Sequence, residues 1–333
     1  MRRNLIHIVA SLIALAAICS VALGGTVSAY SGTATIASNT FTAGPDWTPP
    51  AASTAAIGRK TAYDTGSIDK GASYYIYANV SDTGAPASGV ASVTANVNTI
   101  TSGSSAVALT SGSYSAGGTV YNYRSGVLTA GSSLAAGNYS YSVTSTDSAG
   151  NVGTQSFTTV VDNTSPSAVD VQSTNVSGGT VGHFDQGDTF TLTYDSTMDP
   201  YSILSGWTGA AINVQVALVD GGGTTSDSVY VYDTSSSPAQ IPIGIVTLGS
   251  PGYLNTGAGD YVTFGATGAA TPSTMIRTGA QITITLGTPS ATTLKNTTAA
   301  AMSWAPSTTA TDIAGNAASG TAVTQSGTVH VNF

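Results

Sequence analysis

The sequence predicts an all-β protein, folded as two tandem β-sandwich modules behind a cleavable export signal. Three observations predict this. First, strand-favouring Thr, Val, Ile and Tyr abound, with 16 Tyr, while 39 Gly and many Ser and Asp supply turns. Second, short segments alternate large and small side chains with period two, the pattern of a strand with one buried face. Third, all 16 acidic residues are Asp and none is Glu, and Asp favours turns where Glu favours helices. A hydrophobic content of 41 % and abundant Tyr exclude a disordered chain. At 333 residues the chain is long enough for about two domains.

The chain begins with Met1-Arg2-Arg3, a positive n-region, followed by an apolar run from Leu5 to Leu23. Val27-Ser28-Ala29 then puts small residues at −3 and −1 of a cleavage site between Ala29 and Tyr30. The alternative is an uncleaved anchor, because the run is about long enough to span a bilayer. Cys19, the single cysteine, follows Ile18 rather than a small residue and reads as part of the discarded segment. The mature chain then has no thiol for a disulfide or a thiolate metal site. An exported chain without disulfides suits a bacterium better than a eukaryotic secretory route. From Tyr30 onward, six Lys and Arg face 16 Asp, a net charge of −10. That excludes a basic groove for nucleic acid and attraction to an anionic membrane after cleavage.

The segment "GGTVSAYSGTATIASNTFTAG" (24–44) resembles the export signals of camelysin and of biofilm-matrix fibre proteins, through Tyr30, Thr33 to Thr35 and Asn39 to Gly44. The resemblance implies a dedicated export route and an extracellular home. Residues 30–59 are expected to be an extended segment and linker, since "AGPDWTPPAAST" (43–54) combines Pro and small residues.

A first sandwich is expected over 60–164. Its strands are read at 73–80, 89–97, 118–125, 137–147 and 154–162. Between the last two lies "TDSAGN" (146–151), repeated almost letter for letter as "TDIAGN" (311–316). Asp147 and Asn151 can bond turn backbone and Gly150 tolerates positive φ, so the motif reads as a hairpin loop that satisfies its own amides. Asp312, Gly315 and Asn316 should do the same in the second half. Tyr139 sits where a tyrosine corner would. "VVDNTSPSAVD" (160–170) reads as a last strand, a turn and a Pro-containing joint. Together with "SDTGAPASGVASVTANV" (81–97), these features resemble tandem bacterial immunoglobulin-like (Ig-like) domains.

A second, larger sandwich is expected over 165–333. Phe190, Leu192 and Tyr194 alternate as a strand. Asp199 can cap a helical turn that has Pro200 at its first position. Further strands are read at 212–219, 228–233, 241–248, 260–264 and 281–286, with a final run at 327–333. The early "MDP" and late "TDIAGN" resemble the Ig-like domains of bacterial surface-layer proteins.

No catalytic set stands out. His183 lies near Asp185 and Asp188, but Ser is so common that the neighbourhood carries little information, and His183 reads as a solvated loop residue. His330 reads as a strand-surface residue. Asp185 with Asp188, or Asp195 with Asp199, are the carboxylate pairs a glycosidase would need, with nothing else pointing to a sugar cleft. No phosphate-binding loop, dinucleotide fingerprint or zinc motif is present. Calcium is the one cofactor to consider: Asp147, Asp162 and Asn163, or "DQGD" at 185–188, offer oxygen ligands, although each Asp reads first as a turn cap. The expectation is a non-enzymatic extracellular protein, structural or adhesive, at a bacterial surface or in a matrix. Its expected partners are other surface or matrix proteins, itself among them, and the segment 30–41 is a candidate donor strand. The alternative is a module binding carbohydrate or a host surface, or an accessory domain of a secreted hydrolase.

Overall fold

The computed structural model describes residues 46–254, 256–292, 294–295, 297 and 300–327, and the backbone of two short strands before them. Those strands, β1 (Thr35–Ile36) and β2 (Asn39–Thr40), pair antiparallel with each other. The expected cleavage site between Ala29 and Tyr30, the rest of the segment 30–45, and residues 328–333 of the expected final run, His330 among them, lie outside the described residues.

The first module contains β3 (Ala51–Arg59), β4 (Ser67–Ile68), β5 (Ser73–Ser81), β6 (Val90–Asn96), β7 (Val107–Ala116), β8 (Thr119–Ser125), β9 (Leu128–Thr129), β10 (Gly137–Asp147) and β11 (Val152–Val161). The hydrogen-bonded path runs β3-β5-β8-β7-β6-β10-β11-β4, with β9 beside β5. β7 joins the two layers. Its first residues pair with β6 and the rest with β8. The layers close over Ile57, Tyr74, Ile76, Val80, Val93, Tyr141, Val143 and Val161, all buried. In β10, Tyr141, Val143, Ser145 and Asp147 face inward, as the alternation predicts. Tyr139 donates its hydroxyl to the carbonyl of Ala135 at 3.0 Å, the contact expected of a tyrosine corner.

Two boundaries differ from expectation: the strand read at 241–248 is confined to Ile245–Thr247, and the first module begins before residue 60. The segment read as linker as far as residue 59 is a strand from Ala51 onward, at the edge of the first sheet. Pro49 and Pro50 stop just before it, where their missing N–H groups cost no ladder bond.

The second module contains β12 (Ala168–Thr174), β13 (Thr189–Tyr194), the helical turn α1 (Pro200–Ile203), β14 (Ile212–Val219), β15 (Ser228–Tyr232), β16 (Ile245–Thr247), β17 (Tyr261–Phe264), β18 (Ser273–Thr278), β19 (Gln281–Thr285), β20 (Ser303–Ala305) and β21 (Val323–Thr324). The path is β12-β13-β19-β18-β14-β15-β16-β20-β21, with β17 beside β14. Here β14 bridges the layers: Ile212–Val214 pair with β18, Gln215–Val219 with β15, and Val216–Val219 also with β17. The core is more aromatic. Tyr194 meets Trp304 edge-on at 4.8 Å, and Phe184 meets Tyr253 at 5.1 Å. Each buried indole N–H has an acceptor, Trp304 on Ile243 O at 2.8 Å and Trp207 on Ala210 O at 2.6 Å. Asp199 caps α1 as predicted, accepting from Tyr201 N.

Candidate functional site

The repeated hexapeptide is half of a repeated device. In the first module Asp147 accepts from Asn151 twice, Oδ1 from the backbone N–H at 2.8 Å and Oδ2 from the side-chain amide at 2.7 Å. The same amide donates onward to Asp46 O at 2.9 Å. In the second module Asp312 accepts from Asn316 at 2.9 and 3.0 Å, and the Asn316 amide donates to Asp162 O at 3.0 Å. Gly150 and Gly315 take φ of 92° and 112°, the left-handed geometry that glycine tolerates without strain.

The partners are repeated too. Asp46-Trp47-Thr48-Pro49-Pro50 and Asp162-Asn163-Thr164-Ser165-Pro166 share the pattern D-x-T-x-P. In each, the Asp Oδ1 accepts from the Thr backbone N–H at 2.9 Å. Each module therefore clasps its own entry chain with its own late hairpin. This fixes the direction in which the chain enters the sandwich.

At the second clasp the loops at one end of the first module meet the loops at one end of the second. Tyr63 N–H, from the loop after β3, donates to Asp199 Oδ1 at 3.1 Å. Arg59 reaches Asp312 O at 3.3 Å and Thr311 Oγ1 at 3.4 Å, and lies 3.7 Å from Asp199 Oδ2. Arg277, on β18, pairs with Asp64 and donates to Met198 O at 2.7 Å. Asp69 N–H donates to Ala314 O at 2.9 Å. Asn163 accepts from Lys70 N–H and donates to Leu134 O, both at 2.9 Å. The Tyr63 and Tyr201 rings pack 5.5 Å apart. Asp199 is 1 % exposed. Burial raises its pKa, opposed by the N–H groups of Tyr63 and Tyr201 and by Arg59. Burial likewise raises Asp312, opposed by the Asn316 bonds. A carboxylate removed from water needs such partners, and these come from both modules.

The other expected residues separate. Asp147 stands at the first clasp while Asp162 and Asn163 stand at the second, so these three are not brought together as a calcium set. Asp195 accepts from Ser167 N–H at 2.8 Å, a task apart from that of Asp199. Asp185 and Asp188 do lie together. Asp188 is fully buried, accepts from Val176 N–H at 2.8 Å and Asp185 N–H at 2.7 Å, and burial pushes its pKa up to about 6. His183 Nδ1 lies 3.1 Å from Asp185 Oδ1, and among the described residues no Ser hydroxyl is bonded to the ring. Asp46, Asp82 and Asp147 each place one carboxylate oxygen within 4.8 Å of the others. Those carboxylates already cap turns: Asp46 accepts from Thr48 and Ser88, and Asp82 from Gly84 and Gly89.

Arg59, Asp64, Asp69 and Arg277 were not picked out from the sequence. The D-x-T-x-P repeat was a legible signal for the entry turns. A second one links Ile68-Asp69-Lys70-Gly71 with Phe184-Asp185-Gln186-Gly187, where both glycines have positive φ. Set against protein-family models, curated proteins and solved structures, the chain matches none.

Proposed function

We propose that this protein is a non-enzymatic structural or adhesive component of a bacterial surface or extracellular matrix, made of two Ig-like modules held as a rigid pair. The carrying observation is the joint between the modules. Two arginines, a buried carboxylate and several backbone amides fix one module against the other, an arrangement suited to transmitting force or setting a distance. Low charge, the export signal and the resemblance of its hairpin motif to surface-layer modules support the same reading. In a bacterium expressing the full chain, fractionation should recover a product beginning at Tyr30 in the extracellular or surface fraction. Unprocessed product confined to the cytosol would contradict the proposal.

A second reading, carbohydrate binding, is favoured by one groove on the outer face of β14, β15 and β17. It has a volume of about 300 Å³ and is lined by Gln215, Ala217, Val219, Tyr232, Pro238, Tyr261 and Thr263. Two phenol rings beside an amide and a hydroxyl, with no carboxylate or cation in the lining, suit a neutral sugar. A glycan array should show saturable binding that Ala217→Leu, which fills the floor, removes. An array without reproducible binders would dispose of this reading.

A further inference from the structure

Two tyrosines meet across the joint. Tyr63 stands on the loop after β3 and Tyr201 on α1, and their ring centroids lie 5.5 Å apart with the planes tilted by 45°. One carboxylate oxygen holds both backbones: Asp199 Oδ1 accepts from Tyr63 N–H at 3.1 Å and from Tyr201 N–H at 3.2 Å. The tip of the β7–β8 hairpin fixes Tyr63 from another side, where Gly117 N–H donates to Tyr63 O at 2.8 Å. A Cβ on the neighbouring Gly118 would come within 3.2 Å of the Tyr63 hydroxyl, so the phenol rests against that tip. The pair is therefore positioned by three segments and not by ring contact alone.

The pair is also open to reagents. Tyr201 is 39 % exposed and Tyr63 is half-buried. Tyr77 and Tyr121 lie as close together, at 5.4 Å, but both are buried and both belong to the first module. From residue 20 onward the chain has no cysteine, so no disulfide can lock one module to the other. Phenols are the side chains at this joint that an oxidant can couple.

We propose that Tyr63 and Tyr201 are a modification site, where a one-electron oxidant, a haem peroxidase with hydrogen peroxide, joins the two modules through a dityrosine bond. Each phenol gives up one electron and one proton and becomes a phenoxyl radical. The radicals couple through ring carbons ortho to oxygen, forming one C–C bond. As the rings regain aromaticity, the hydrogen on each coupled carbon leaves as a proton and each oxygen takes one up. The linked pair has then lost two hydrogens in all. Hydrogen peroxide accepts the two electrons and two protons as its O–O bond breaks, giving two waters. This deepens the rigid-pair reading above, on which it rests, by making the joint covalent.

The test treats the dilute chain from Tyr30 onward with peroxidase and hydrogen peroxide, then cleaves it before each aspartate. Cleavage places Tyr63 in the peptide 46–63 and Tyr201 in the peptide 199–219, each with a single tyrosine. Mass spectrometry should find these two peptides joined and two hydrogens lighter than their sum, with dityrosine fluorescence in a chain that still runs as a monomer. The linked chain should melt higher, because a cross-link constrains the unfolded state. Tyr63→Phe and Tyr201→Phe keep the ring packing, so each should melt close to wild type before treatment and each should abolish the joined peptide. Treatment in urea should abolish it too. If the treated wild type yields no joined peptide although it unfolds in one transition, the proposal is overturned and the rigid pair stands. If the untreated chain unfolds in two independent transitions, the rigid pair falls and the proposal falls with it. Coupling found only between chains, or a link that forms equally in urea, also overturns it.

Discussion

At the scale of single residues, the molecule depends on a few short polar side chains with several bonds each. The Asn316 amide serves Asp312 and Asp162 at once, so Asn316→Ala leaves a buried carboxylate and a carbonyl short of a donor. The expected cost is about 1–3 kcal/mol, read as a shift in the denaturation midpoint with unchanged slope. Arg59→Ala removes the cation nearest to Asp199 and should cost about the same, because two backbone N–H groups still serve that carboxylate.

Asp188 gives a pH signature. Its folded pKa of about 6 stands above the ordinary 3.8, so the native state keeps a proton that the unfolded chain has already lost. Stability should therefore fall as pH rises from about 4 to 6. Asp69, Asp199 and Asp312 are raised by burial and act in the same direction. Asp46, Asp220 and Asp233 are held down by hydrogen bonds, and their contribution is lost only as pH drops below 3.8. Melting temperatures measured from pH 4 to 7 should decline, and Asp188→Asn should flatten much of that slope. A wild-type profile rising across this range would refute the assignment.

At the scale of elements, much was legible because burial imposed a period. β10 and β14 alternate or run apolar along their whole length, and both were bounded correctly. α1 announced itself by Asp199 and Pro200. Elements without a dominant buried face escaped. β3 is largely Ala, Ser and Thr and was read as linker. β7 is exposed on both faces over most of its length, so no alternation marks it. The hairpin motif was legible as a turn, but its partner at Asp46 or Asp162 was not, because that contact spans 105 or 154 residues. The glycines of the motif separate its two roles. A Cβ on Gly150 meets nothing within 4 Å, whereas one on Gly315 comes within 2.7 Å of Arg59. Gly150→Ala should cost only the positive-φ strain, about 1–2 kcal/mol. Gly315→Ala should cost that and also displace Arg59, so thermal denaturation should find it the more damaging. Equal losses would mean that Arg59 contributes nothing at the joint.

At the scale of the whole molecule, two sandwiches with separate cores become one body through polar contacts between loop ends. Neither core extends across the joint, and the coupling rests on Arg59, Arg277, Asp64, Asp69 and Asp199. The most direct measurement is calorimetric unfolding of the chain from Tyr30 onward beside the double variant Arg59→Ala, Arg277→Ala. The joint as described predicts a single cooperative transition for the wild type, and for the variant two resolved transitions with the first shifted down by several degrees. Two independent transitions in the wild type, unmoved by removing both arginines, would contradict it.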